Sequence, residues 1–86
     1  MGHKQLDRPK RMGEKVRAIR NTLGLTQAQM FELLISKGAK IHIGYIGLYE
    51  IGERIPTLLV TLAYARAAKI STDYLIDDQL DLPLIH

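Results

Sequence analysis

The stretch Leu25–Pro56, LTQAQMFELLISKGAKIHIGYIGLYEIGERIP, decides how this 86-residue chain folds. Thr26 followed three residues later by Gln29 has the spacing of a capping box, in which each side chain satisfies the other residue's exposed backbone amide. Met30, Leu33 and Leu34 then recur at helical spacing, which predicts a helix from Gln27 to about Lys37. Ser36-Lys37-Gly38 breaks it. A second short apolar run, Ile43 to Ile51, ends at Gly52, the residue type that most readily takes a left-handed cap. Gly44 and Gly47 inside this run cost roughly 1 kcal/mol each relative to alanine, so the helix must depend on packing rather than propensity. Gly38 to Ile41 connects the two segments, with Ile41 expected to plug the core beneath.

The flanking sequence supplies the rest of a helical domain. Met12, Val16, Ile19 and Leu23 share one face of a helix expected over Arg11–Leu23, which Gly24 ends. Gly52–Pro56 reads as a loop. Thr57 is placed to cap a fourth helix running to about Lys69, burying Leu59, Leu62, Ala63, Ala67 and the ring of Tyr64. Ser71 is placed to cap a short fifth helix over Thr72–Ile76, with Asp73 at the positive end of its dipole. The chain divides into a loose basic arm (1–10), a helical domain (11–77) and an acidic, Leu-rich tail (78–86). The expected fold is all-α and compact, with about five short helices. Two of them around a tight break, in a small basic domain, suggest a helix-turn-helix.

Composition bounds the function. At 47% hydrophobic and 24% charged residues, the chain should bury a core rather than stay disordered. Cysteine is absent, which removes disulfide and thiol chemistry and fits a cytoplasmic protein. No apolar run approaches the length of a membrane span. Residues 1 to 20 hold seven basic side chains (Lys4, Arg8, Lys10, Arg11, Lys15, Arg17, Arg20) against Asp7 and Glu14, a local net of +5. With +3 overall, the remainder carries −2, and Asp73, Asp77, Asp78 and Asp81 lie at its end. This asymmetry favours a polyanionic partner at one end of the molecule.

Other chemistries find little support. His3, His42 and His86 lie in the arm, the turn and the tail, and offer no metal-ligand spacing. Asp77, Asp78 and Asp81 lack the ligand series of a calcium loop and read as a solvated acidic turn. Glu50 and Glu53 come with no third catalytic group, and neither a phosphate-binding glycine loop nor a nucleophile motif is present. Neither an enzyme nor a cofactor is expected.

Four pieces in order, Arg17-Ala18-Ile19-Arg20, Gly24-Leu25-Thr26-Gln27, Ile46 through Pro56, and Ser71 through Ile76, resemble the phage-repressor/Cro-like helix-turn-helix family, also called XRE. The resemblance covers about residues 12 to 77. It implies a compact five-helix, lambda-repressor-like DNA-binding domain, commonly dimeric. By position, it implies phosphate contacts from Gln27 at the start of the second helix and from Arg54 after the third, with Lys40 and Arg17 as further candidates. It also implies an ion pair between Arg20 and Glu50, joining the first helix to the third. The outward positions of the recognition helix fall on Ile43, Gly44, Tyr45 and Leu48, with His42 as its cap. Relatives usually present polar side chains there, whereas Ile43 and Leu48 suit thymine methyls, and Tyr45 or His42 a phosphate or base acceptor. Gly47 stands where serine is common, and the connection before the helix is about five residues longer than the commonest form.

The expected function is therefore a transcription regulator, a repressor that inserts helix 43–51 into the major groove of double-stranded DNA as a homodimer. The fifth helix and the tail (Leu80, Leu82, Leu84, Ile85) are one place for the dimer contact, and self-packing of the tail is the alternative. The apolar recognition face also fits a second reading. In it the fold serves as a protein-interaction module or antitoxin, with helix 43–51 or the tail binding a protein.

Overall fold

The computed structural model describes residues 8–83. Lys4, His3 and the rest of the arm's first seven residues, with Leu84, Ile85 and His86, lie outside the described residues. The described chain forms five helices: α1 (Met12–Leu23), α2 (Gln27–Ser36), α3 (Tyr45–Glu50), α4 (Leu58–Ala68) and α5 (Asp73–Ile76).

Local chemistry sets the boundaries. The Thr26 side chain accepts from the Gln29 amide at 3.1 Å, and Gln29 Oε1 accepts from the Thr26 amide at 2.9 Å, so the capping box starts α2 as its spacing predicts. Thr57 Oγ1 accepts from the Val60 amide and starts α4 in the same way. At the end of α2, the Gly38 and Ala39 amides turn back to the carbonyls of Ile35 and Leu34. That closure needs a left-handed residue, and Gly38 (φ 97°) supplies it. The same pair of bonds closes α4 around Lys69, a non-glycine residue held at φ 59°.

The core is one cluster drawn from every helix: Met12, Val16 and Ile19 of α1, Met30 and Leu34 of α2, Ile46 and Tyr49 of α3, Val60, Ala63 and Tyr64 of α4, and Leu75 of α5. Ala39 of the connection joins them, while Ile41 packs at the edge of the cluster. Gly13 allows α1 to press directly on the end of α3. A Cβ there would lie 2.8 Å from the Tyr49 carbonyl oxygen and 3.0 Å from that of Glu50.

The expected organisation differs from the structure at both ends of the third helix and at two leucines. The third helix begins at Tyr45 rather than Ile43 and ends at Glu50 rather than Ile51, so Ile43 and Gly44 belong to the turn that precedes it. Leu59 is exposed, because α4 is apolar nearly all round (LLVTLAYARAA) and its composition does not fix which side faces inward. Leu23, assigned to the inner face of α1, is also exposed.

The acidic turn is exposed as expected, Asp81's side chain at 86%, but it also holds on to α1. Asp78 accepts from the backbone amides of Lys10 (2.8 Å) and Arg11 (3.1 Å), capping the start of α1 from the far end of the chain. The Arg11 guanidinium binds the Asp78 carbonyl and the Asp81 carboxylate, and Leu82 packs on the core. The described part of the tail thus folds back onto the helical domain of the same chain.

Candidate nucleic-acid interface

An ion pair fixes α3 relative to α1. Arg20 Nε donates to Glu50 Oε2 at 2.6 Å and Arg20 Nη2 to Glu50 Oε1 at 2.9 Å, a two-pronged fit of guanidinium to carboxylate. Glu50's side chain is 4% exposed and Arg20's 15%, so the pair is sealed between the helices. Arg20 also donates to the Leu25 carbonyl, which ties the α1–α2 turn into the same knot. Hydrogen bonding to Glu50 raises the Arg20 pKa further above its already high ordinary value. Removing either partner would leave a buried charge unmet, so the pair specifies geometry more than it adds stability.

Gln27 continues this network. Its side-chain amide donates to Glu50 Oε1 at 3.3 Å, and its carboxamide lies over Gly47. A Cβ at Gly47 would stand 3.4 Å from Gln27 Oε1, an ordinary contact, so the position does not require glycine for Gln27 to fit. Gln27 is otherwise exposed, at the amino end of α2.

The turn before α3 is built by His42. Its Nδ1 accepts from the Gly44 amide at 3.0 Å and its carbonyl accepts from the Tyr45 amide, so His42 closes the turn before the helix, while the cap position itself falls on Gly44 rather than on His42 as expected. Beyond it the outward edge is open: Ile43 is 47% exposed and Leu48 36%. Tyr45 is half-buried, its ring edge-on to Tyr49 and tilted against His42.

The basic residues of the head separate into three groups. Lys15 is buried, and its ammonium donates to the carbonyls of Tyr74 and Asp77, meeting the last turn of α5 and its C-cap. Arg11 and Arg20 are paired with acids. The side chains of Arg8, Lys10 and Arg17 remain exposed with no hydrogen-bond or ion-pair partner among the described residues, as do those of Lys40 and Arg54. Arg8, Lys10 and Arg54 line one cleft of about 310 Å³ beside Gly13, Tyr49 and Gly52. Sequence spacing gave no sign of that grouping, because it depends on Asp78 anchoring the chain at residues 10 and 11. Arg54 lies over the Tyr45 ring, its guanidinium carbon 3.9 Å from the centroid.

Comparison with protein-family models and with curated proteins found no match. Among solved structures, the chain is similar to the P22 c2 repressor, determined in complex with the synthetic operator 9T in the presence of Tl⁺. The two share 29% sequence identity with a TM-score of 0.66, over 87% of this chain and 98% of that one. That neighbour is a DNA-binding repressor, not an enzyme. The described chain has the all-helical fold of a phage-repressor helix-turn-helix domain.

Proposed function

We propose that this protein is a DNA-binding transcription regulator, a repressor of the Cro/XRE kind, acting as a cytoplasmic homodimer on operator DNA. The observation that carries this reading is the open edge of α3, with Arg54 stacked on its first residue and Lys40 lining the same hollow as His42 and Tyr45, on a domain that shares its fold with an operator-bound repressor. The turn and helix residues His42, Ile43, Gly44, Tyr45 and Leu48 face the major groove. Gln27, Arg54, Lys40 and Arg17 meet backbone phosphates, Gln27 from a helix start whose dipole favours an anion.

An apolar edge still carries sequence information. The thymine C5-methyl is the apolar mark of the major groove, and Ile43 and Leu48 suit it where amide or guanidinium readers of adenine and guanine are missing. No enzymatic step is assigned to the chain.

Salt dependence tests the reading. With about three phosphate contacts per subunit, a dimer's log affinity for duplex DNA should fall with log salt at a slope of about −5. Fluorescence anisotropy of a labelled duplex across a salt series measures it. A slope near zero, or no binding at low salt, would leave the protein-interaction reading in its place, in which the same apolar edge binds a polypeptide.

A further inference from the structure

We propose that Tyr45 is a positioning residue that holds Arg54 for a phosphate, and that it acts on DNA through Arg54 rather than by reading a base. The inference rests on the DNA-binding function proposed above. Arg54 stands in the loop after α3, exposed, where an unrestrained arginine would sample many rotamers. Its guanidinium instead stacks 3.9 Å from the centre of the Tyr45 ring. The platform beneath is packed into the core. Tyr45 meets Tyr49 edge-on with ring centroids 6.2 Å apart, and Tyr49 meets the fully buried Tyr64 at 6.4 Å. A line of rings therefore runs from the core to the first residue of α3 and ends under Arg54.

A stacked guanidinium offers its face to the ring and keeps its N–H donors at the rim. Those donors have no partner among the described residues. A guanidinium held flat with free donors is the form that grips a phosphate through two parallel hydrogen bonds. The stack also ties that phosphate contact to the first turn of α3, so backbone register and groove insertion are set together. The ring supplies the platform. The hydroxyl is not required.

The test uses the full chain and a labelled non-specific duplex, with affinity measured across a salt series for wild type, Tyr45→Phe, Tyr45→Leu, Arg54→Ala and the Tyr45→Leu/Arg54→Ala double variant. Thermal melts run alongside confirm that each variant folds. Tyr45→Phe should keep the wild-type slope. Tyr45→Leu and Arg54→Ala should each flatten a dimer's slope by about 2, one phosphate per subunit, and the double variant should match either single change. A Tyr45→Leu slope equal to wild type overturns the proposal, and so does a Tyr45→Phe slope as flat as that of Tyr45→Leu. A wild type that binds no duplex at all removes the DNA-binding reading, and the proposal with it.

Discussion

Tyr64 shows how one atom can sit badly in a well-packed core. Its ring closes the aromatic line under α3, but its buried hydroxyl has no hydrogen-bond partner among the described residues, and burial pushes its pKa well above the ordinary tyrosine value. An unmet buried hydroxyl is a penalty that phenylalanine would not carry. Tyr64→Phe should therefore leave stability unchanged or raise it by up to about 1 kcal/mol, as read by urea denaturation. A loss of more than about 1 kcal/mol would mean that the hydroxyl has a partner in solution. The Arg20–Glu50 pair, by contrast, was accessible from family position alone. Gln27's part in it was not, since nothing in the spacing says that a residue 23 positions away offers the third contact.

Helices pack here by giving up side chains at the right places. Gly13 lets α1 touch the carbonyls that end α3, so Gly13→Ala should cost about 1–3 kcal/mol through forced separation. That exceeds the gain of roughly 1 kcal/mol that alanine brings to a helix interior. A Gly13→Ala variant as stable as wild type in chemical denaturation would contradict the close approach. The clasp between tail and α1 has its own signature in pH. Backbone amides of Lys10 and Arg11 lower the Asp78 pKa below the ordinary 3.8. Because the folded pKa is the lower one, the stabilisation is full above 3.8 and is lost as pH falls through the depressed value. Asp78→Ala should thus melt below wild type at neutral pH, with the gap narrowing on acidification, and a gap independent of pH would rule out the clasp. These long-range devices explain what could be read in advance. Helix positions, the capping box at Thr26 and Gln29, the Thr57 cap and the glycine stops are local chemistry and stand within a residue or two of expectation. The start of α3 shows the largest offset, two residues, because Gly44 and Gly47 leave its first turn to packing. The burial of Lys15 and the engagement of Asp78 and Asp81 join residues about 60 to 70 positions apart, which no periodicity encodes.

Across the molecule, α3 is where locked and open residues meet. Arg20, Glu50 and Gln27 tie the helix to its neighbours. Ile43 and Leu48 are left open to solvent, and Arg54, stacked on Tyr45, shares a cleft with Arg8 and Lys10. The basic head is smaller than its charge count suggests, since Lys15, Arg11 and Arg20 are consumed within the fold. The usable field comes from a few exposed cations contributed by separate segments. The most direct measurement is selection of bound sequences from a random duplex pool at physiological salt, followed by replacement of the enriched thymines with uracil. A groove-seated apolar edge predicts a palindromic, thymine-bearing consensus that weakens by about 0.8 kcal/mol at each contacted position when the methyl is removed. Enrichment of no sequence, or a consensus indifferent to uracil, would contradict it.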